Sequence, residues 1–275
     1  MLKIAIPVSE GKTIFQINQA YVDYVYESGY NPILVTPRTD IQEISQICDG
    51  LLLPGGIDLD PVFYDEDNVG SNSVNPRKDD FERTCLYAFI GLSKPVFGIC
   101  RGFQLIIREA LRIGKAPADF VSYWQHINKH RNTLEFDVAR DVPTHSIIVN
   151  KEILYGNPDK KDTKSYVNSI HHQAIIMRVP KAEDLLAPVG NFVPLAVTKH
   201  GMPTKVKGYI VEAFEIDNWN GSPIRAVQWH PEELKDVALL TTFFEDAANP
   251  GKNIKKAIVH VERSKPKMAS VNTQS

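Results

Sequence analysis

The chain of 275 residues is long enough for one large α/β domain or two small ones, and its 43% of hydrophobic residues can fill a full core. Its formal net charge of −2 argues against nucleic acid or an anionic membrane surface as a partner. Three cysteines do not make a disulfide framework and indicate a reducing compartment. The sequence has neither a signal-peptide pattern nor an apolar run of membrane-spanning length, so we expect a cytoplasmic protein.

The first half of the chain alternates between short apolar runs and helical patterns. The predicted strands cover 3–7, 32–36, 50–54 and 95–99, and the predicted helices cover 17–28, 41–47, 80–92 and 103–112. Apolar strands that alternate with helices are typical of a parallel sheet covered on both faces. We therefore predict a single-domain α/β fold with a mostly parallel central sheet and helices on both faces.

The second half is rich in β-forming residues that are separated by Gly, Pro, Asn and Asp. This pattern predicts strands within 134–149, 166–170, 193–198, 208–217 and 224–229. We interpret them as a small antiparallel β extension together with the last strands of the main sheet. A closing helix is predicted over 232–247, which gives a domain of residues 1–248. The basic tail, 249–275, is interpreted as a solvated arm rather than a binding segment.

The segment 95–104 carries a chemical pattern. An apolar strand leads into Gly98-x-Cys100-x-Gly102, and a helix follows, which is the cysteine version of a nucleophile elbow. Side chains at the two glycine positions would collide with neighbouring elements in so tight a turn. The turn would present the Cys100 sulfur at the carboxyl end of the sheet, where the helix N-terminus favours a thiolate. The backbone N–H of Arg101 would face a developing oxyanion. A buried structural cysteine is the alternative.

A cysteine nucleophile needs a base, and the base needs a group that orients it. His230 follows the apolar run 224–227 and therefore also lies at a strand end. The Glu232 carboxylate, two residues on, can reach back to the imidazole, although it equally fits the first turn of a helix. Cys48 and Cys85 lack such settings and are predicted to pack in the core. The order of Cys and His also fits papain-like proteases, but their local cysteine signature is absent.

The other histidines form no recognisable site. His171 and His172 are adjacent, and on a strand they would point to opposite faces, which does not favour a shared metal. Cys, His and Asp do not occur at zinc-site spacing, so no metal is predicted. The remaining histidines are expected to be structural or exposed; they are His126, His130, His145, His200 and His260.

Four motifs, in a fixed order within residues 1–245, carry a resemblance to a known family. They are LPGGIDLDP at 53–61 with Tyr64, GICRGFQ at 98–104, NSIHHQ at 168–173 and VQWHPE at 227–232. The chain resembles class I glutamine amidotransferase-like proteins, and among them the γ-glutamyl-γ-aminobutyrate hydrolase branch, peptidase family C26. The resemblance implies the flavodoxin-like fold of that class.

The resemblance also implies roles for individual residues. It implies a catalytic triad of Cys100, His230 and Glu232. The implied oxyanion hole consists of backbone N–H groups of Gly55, Gly56 and Arg101. The implied substrate-binding residues are Gln104, which would hold the glutamyl part, and His171, Asn168 and Gln173. Asp60 and Tyr64 fit a structural role in their loop equally well.

The implied reaction is hydrolysis of a γ-glutamyl amide through a thioester, without metal or organic cofactor. A second interpretation is a glutaminase that passes ammonia from glutamine to a separate synthetase partner. A third is a catalytically degenerate binding or regulatory protein. Residues 112–126 depart from the family pattern and leave the amine side of the substrate open. A homodimer is compatible with all three interpretations.

Overall fold

The computed structural model describes residues 1–127, 138–156, 163–178, 185–202 and 206–249. The helices in these ranges are α1 (Gln19–Glu27), α2 (Ile41–Ile47), α3 (Pro76–Gly91), α4 (Arg101–Arg112), α5 (Lys151–Tyr155) and α6 (Val237–Ala248). The strands are β1 (Lys3–Pro7), β2 (Ser9–Glu10), β3 (Phe15–Gln16), β4 (Asn31–Val35), β5 (Gly50–Leu53), β6 (Val96–Ile99), β7 (Val121–Trp124), β8 (His145–Val149), β9 (Thr163–Val167), β10 (Ala174–Met177), β11 (Phe192–Thr198), β12 (Tyr209–Trp219) and β13 (Ser222–Val227). The predicted basic tail lies outside the described residues after Asn249.

The described residues form one large sheet and one small hairpin. In the large sheet, β4, β1, β5, β6 and β13 lie side by side and are all parallel. Strands β12, β11, β8 and β9 continue it in antiparallel pairing, while β10 and β7 branch from β12. The predicted parallel sheet with an antiparallel extension is confirmed. The short β2–β3 hairpin is separate.

Hydrophobic clusters cover both faces of the parallel strands. Along β5, Leu51 and Leu53 pack on one face with α3 and α4, whereas Leu52 packs on the other face with α1 and α6. This alternation follows from the two-residue period of a strand. Each fully buried leucine contributes about 1.5–3 kcal/mol relative to an exposed one. The fold is therefore single-domain α/β with helices on both faces.

Local chain chemistry sets where the helices begin. The Asn18 side chain accepts a hydrogen bond from the Ala20 N–H, and Asp40 accepts one from the Gln42 N–H, so both cap a helix as N-cap residues commonly do. The helix predicted to begin at residue 80 begins at Pro76 instead. There the Asn75 side chain accepts from a backbone N–H of the first turn, and proline is tolerated because that position has no intrahelical N–H bond.

The closing helix begins later than predicted. Residues 231–235 form turns, in which Lys235 has a left-handed backbone with φ 54° and the Asp236 N–H donates to the Pro231 carbonyl at 3.0 Å. The helix therefore starts at Val237 and not at Glu232. Strands β7 and β10 were not predicted, and residues 128–137, which overlap the predicted segment 134–149, lie outside the described residues. None of the described helices is both long and apolar enough to cross a membrane.

Candidate active site

Three neighbouring parallel strands end at the same edge of the sheet, and each is followed by a predicted site residue. The Gly55-Gly56 turn follows β5, Cys100 follows β6, and His230 comes shortly after β13. Because the strands are parallel neighbours, the structure brings these residues together at their carboxyl ends. In open α/β sheets this edge commonly forms the ligand crevice.

Cys100 occupies a strained turn that the flanking glycines make possible. Its φ is 51° and its ψ is −101°, a combination that L-residues rarely adopt. A Cβ on Gly102 would lie 2.3 Å from the Leu53 carbonyl oxygen, and one on Gly98 would lie 2.9 Å from the carbonyl carbon of Gly102. The Cys100 N–H donates to the Val227 carbonyl at 2.8 Å, which ties the turn to β13. The predicted elbow geometry is therefore present.

The His230 imidazole is paired with a carboxylate, and both it and Cys100 lie next to the Gly55 turn. Its Nδ1 donates to Glu232 Oε1 over 2.6 Å, and both side chains are almost completely buried. Burial lowers the pKa of His230, but Glu232 and Cys100 together raise it by a larger amount. The net result is a rise from 6.5 to about 10. With a pKa of about 10, the imidazole is protonated at neutral pH.

Tyr21 of α1 is a site residue that the sequence did not reveal. Its hydroxyl accepts from the Gly55 N–H at 3.0 Å and lies 3.4 Å from Nδ1 of His230. Burial raises the pKa of this phenol well above its usual value, and Glu232 and Cys100 raise it further. Along α1, Tyr21 follows the same buried stripe as Tyr24, so nothing in the sequence separates a site residue from a core residue.

The three residues of the predicted oxyanion hole differ in their surroundings. The Gly55 N–H is occupied by the Tyr21 hydroxyl. Among the described residues, no hydrogen bond is formed by the backbone N–H of Gly56 or of Arg101, which is the first residue of α4. Gly56 lines the cavity together with Cys100, whereas the Gly55 N–H is taken up by Tyr21, and the assignment of an oxyanion hole to these residues stays a prediction.

The side chain of Arg101 does not line the cavity. It is fully buried and forms ion pairs with Asp79 and Glu82 of α3. Burial lowers the pKa of Arg101, but the Glu82 and Asp79 carboxylates raise it by more. Glu82 also pairs with Lys78 at 2.6 Å, and Lys78 does line the cavity. This buried charge cluster joins α3 to the first residue of α4. Arg101 also packs against the Gly56 turn, since a Cβ added at Gly56 would lie 3.4 Å from Arg101 Cδ.

Cys100 and His230 line a cavity of about 840 Å³. This volume lies within the range of roughly 300–1,000 Å³ that is usual for small-molecule sites. Gln104 and His171, two of the four residues predicted to bind substrate, also line it. The Gln104 amide donates to Gln228 Oε1 at 3.3 Å, and the His171 Nδ1 lies 2.8 Å from the carbonyl oxygen of Gln173.

The structure does not bring Asn168 and Gln173 to the cavity surface. The Gln173 amide is buried between two hydroxyl groups. Its Oε1 accepts from the Tyr123 hydroxyl, and its Nε2 donates to the Ser71 hydroxyl at 2.7 Å. Asn168 is fully buried against the backbone of His230. The motif that contains them therefore supports the cavity from behind and contributes His171 to its surface.

His171 and His172 both line the cavity, and the argument that neighbours on a strand point to opposite faces does not apply to them. The reason is that β9 ends at Val167 and β10 begins at Ala174, so the pair lies in a loop and not on a strand. The His172 Nε2 contacts Asp58 Oδ2 at 2.7 Å. Within the described ranges, no group of three or more His, Cys, Asp or Glu side chains is arranged to hold a metal ion.

A mostly parallel α/β sheet with a cysteine elbow and a His–Glu pair at its carboxyl edge defines the class I glutamine amidotransferase fold. Comparison with known proteins then gives the family. The sequence profile of the peptidase C26 family matches residues 8–232, and the chain belongs to this family. It is therefore an enzyme of the hydrolase and amidotransferase class.

Two relatives illustrate the similarity in sequence. The glutamine amidotransferase-like protein YvdE of Lactococcus lactis is 30% identical over 217 residues, with 78% of this chain and 79% of the relative covered. The γ-glutamyl-γ-aminobutyrate hydrolase PuuD of Escherichia coli is 22% identical, with 86% of each chain covered.

Two solved structures share the fold at lower identity. A GMP synthase subunit protein of Thermoplasma acidophilum has a TM-score of 0.54 at 20% identity, with 93% of this chain and 98% of that chain covered. The glutaminase domain of CTPS from Trypanosoma brucei has a TM-score of 0.55 at 17% identity, with 90% and 94% covered.

Proposed function

We propose that this protein hydrolyses γ-glutamyl amides, with Cys100 as nucleophile, His230 as its base and Glu232 as the group that orients the imidazole. The observation that carries the proposal is the His230–Glu232 pair, joined over 2.6 Å, at the same sheet edge as Cys100; Glu232 and Cys100 together raise the pKa of His230 to about 10. A cationic imidazole beside the sulfur at the N-terminus of α4 favours the reactive thiolate.

In the proposed reaction, the Cys100 thiolate attacks the side-chain carbonyl carbon of the γ-glutamyl group. The carbonyl oxygen becomes an oxyanion that accepts hydrogen bonds from the backbone N–H groups of Gly56 and Arg101. Loss of one such donor typically raises the barrier by about 3 kcal/mol. In this scheme Gly55, which donates to Tyr21, holds the turn in place.

The tetrahedral intermediate then collapses and the C–N bond breaks. His230 gives its proton to the leaving amine, and the acyl group remains on Cys100 as a thioester. A water molecule gives a proton to the now neutral imidazole and attacks the thioester carbonyl. Collapse of this second intermediate breaks the C–S bond, releases glutamate and restores the thiolate–imidazolium pair.

The size of the cavity favours a substrate with an organic amine as leaving group. A volume of about 840 Å³ lies in the upper part of the range of roughly 300–1,000 Å³ that is usual for small-molecule sites. Gln104 and His171 line the cavity and are the proposed contacts of the substrate. The similarity to a protein named γ-glutamyl-γ-aminobutyrate hydrolase supports the same substrate class.

A substrate screen with the purified chain tests this function. Glutamine, γ-glutamyl-γ-aminobutyrate and γ-glutamyl derivatives of neutral and cationic amines are incubated with wild type and with Cys100→Ala, and released glutamate is measured. We expect release from at least one γ-glutamyl amine by wild type alone and none by the variant. Release only after a synthetase is added would instead establish the ammonia-donating glutaminase.

Thiol labelling separates an active enzyme from a degenerate family member. Burial raises the pKa of Cys48 and of Cys85, so neither is a thiolate at neutral pH. We expect iodoacetamide at neutral pH to alkylate Cys100 first, as measured by peptide mass spectrometry. Equal labelling of all three cysteines in the folded protein would refute an activated nucleophile at Cys100.

A further inference from the structure

The backbone of His230 is held by the side chain of one residue that does not touch the cavity. The Asn168 Oδ1 accepts from the His230 N–H at 3.0 Å, and the Asn168 Nδ2 donates to the His230 carbonyl at 3.2 Å. One amide thus pairs with both backbone polar groups of His230, in the way that a neighbouring strand would. Asn168 is fully buried and follows β9 directly.

His230 needs such a partner because it lies beyond the end of β13. The last backbone contact with β12 is made by Gln228, whose N–H donates to the Glu212 carbonyl at 2.7 Å. Buried backbone groups that lose the ladder must be paired in another way. Among the described residues, the His230 carbonyl also accepts a long bond of 3.4 Å from the Leu234 N–H. The Asn168 amide is therefore the principal partner of the His230 backbone.

The same amide also reaches the wall of the cavity. Asn168 Nδ2 donates to the Arg140 carbonyl at 2.7 Å, and Arg140 lines the cavity. The Arg140 side chain in turn pairs with Glu233 at 2.6 Å, next to the carboxylate that holds His230. Asn168 thereby fixes the histidine backbone relative to both the cavity wall and the turn that carries Glu232.

We propose that Asn168 is a positioning residue, which holds the His230 backbone so that the imidazole stays between Glu232 and Cys100. This inference rests on the proposed function. The motif NSIHHQ then has two separate roles: His171 belongs to the cavity surface, whereas Asn168 acts through His230. A displacement of a reacting group by about 1 Å can lower a rate by roughly 100-fold.

The test replaces Asn168 by an apolar side chain of similar size, Asn168→Leu, which removes all three hydrogen bonds without adding charge. The matched control is Asn150→Leu. Asn150 is also buried and its side chain also accepts from a backbone N–H, that of Ile153 at 3.1 Å, but it caps α5 and does not contact His230. Both variants therefore lose a buried amide, and only one of them loses contact with His230.

We expect kcat of Asn168→Leu to fall by about 10- to 100-fold on a γ-glutamyl amide, with KM changed by less than about threefold. The control keeps kcat within about threefold of wild type. A second readout is the alkylation of Cys100 by iodoacetamide as a function of pH. In Asn168→Leu its midpoint moves to higher pH because the imidazolium no longer faces the sulfur, whereas the control keeps the wild-type midpoint.

Circular dichroism and thermal melts establish that the variants are folded. If Asn168→Leu does not fold, Asn168→Ser replaces it, because the hydroxyl keeps one polar partner for the His230 backbone. A folded variant with wild-type kcat and a wild-type alkylation profile overturns the inference. Failure of both variants to fold also overturns it, since Asn168 would then hold the fold and not the site. Equal loss of kcat in the Asn150 control overturns it as well.

The alkylation readout separates this inference from the proposed function. If wild type releases no glutamate from any substrate, the proposed function fails, while the pH profile of Cys100 alkylation still decides whether Asn168 positions His230. If wild type is active and the profile does not change in the variant, the inference alone fails.

Discussion

At the scale of single residues, Tyr21 connects two parts of the site that come from distant segments of the chain. Its hydroxyl accepts from the Gly55 N–H and lies close to the His230 imidazole. The absence of a side chain on Gly55 is what allows this approach, because a Cβ there would lie 2.4 Å from the Tyr21 oxygen and 3.0 Å from His230 Cε1. The glycine turn thus packs directly against the His–Glu pair.

Removal of the Tyr21 hydroxyl is expected to lower both stability and rate. In Tyr21→Phe the Gly55 N–H loses its acceptor, and a buried unpaired N–H costs about 1–3 kcal/mol. We expect the free energy of unfolding to fall by about that amount and kcat to fall about tenfold. Urea denaturation and steady-state kinetics measure the two effects.

The control for this prediction is Tyr24→Phe, three residues further along α1. The Tyr24 hydroxyl donates to the Asp236 carbonyl at 2.9 Å and not to the Gly55 turn. The control should lose stability but keep kcat within about twofold. A kcat loss of equal size in both variants would show that α1 packing, and not the contact with Gly55, supports the activity.

The raised pKa of His230 also makes stability depend on pH. Because the folded protein holds this proton with a pKa of about 10, against 6.5 ordinarily, the stabilisation is complete below about pH 6.5 and is lost as the pH rises through about 10. We expect the free energy of unfolding to fall more steeply over this window in wild type than in His230→Gln. Urea titrations at about pH 6, 8 and 10 compare the slopes. Parallel slopes would contradict the raised pKa of His230.

At the scale of elements, the elbow between β6 and α4 depends on close approach to β5. A Cβ at Gly102 would lie 2.3 Å from the Leu53 carbonyl oxygen and 2.8 Å from its carbonyl carbon, and neither backbone atom can rotate away. Leu53 is followed within three residues by the Gly55-Gly56 turn. A shift of β5 would therefore move the oxyanion donor as well as Cys100.

We expect Gly102→Ala to destabilise the protein by at least about 2 kcal/mol and to abolish activity. The matched control is Gly91→Ala at the end of α3, where an added Cβ meets no atom within 4 Å. Alanine is the better helix former there, so stability should change by less than about 1 kcal/mol, in the favourable direction. Thermal melts and the glutamate assay compare the pair; full activity in Gly102→Ala would refute the close approach.

At the scale of the whole molecule, the parallel half of the sheet and its antiparallel extension have different tasks. The parallel strands β5, β6 and β13 carry the glycine turn, the cysteine and the histidine at one edge. The extension supplies Asn168 after β9 and His171 before β10, which support and line the same site. The candidate site is thus built by residues from both halves of the sheet.

The domain prediction of residues 1–248 can be tested by truncation. The last described helix, α6, ends at Ala248, and the described residues that line the cavity do not extend beyond His230. We expect a chain that ends at Asn249 to keep its melting temperature within a few degrees and its kcat within about twofold. A large loss of either quantity would place residues 250–275 in the folded domain or in the site.

The four motifs made the gathering of Cys100, His230 and Glu232 predictable, because each key residue follows an apolar strand in the sequence and parallel strands end together. The late start of α6 and the position of Asn168 were not predictable. A left-handed residue at Lys235 and an amide turned toward a backbone 62 residues away are outcomes of tertiary contacts that leave no local pattern.

The sequence by itself determined the fold class, the elbow and the candidates for nucleophile and base, since strand periodicity, paired glycines and motif order are local properties of the chain. Only the tertiary structure decided that Tyr21 belongs to the site, that the Gly55 N–H is occupied, and that Asn168 holds the histidine and does not line the cavity. The physical reason is that a buried polar group is defined by its partner, and these partners come from segments far apart in the chain.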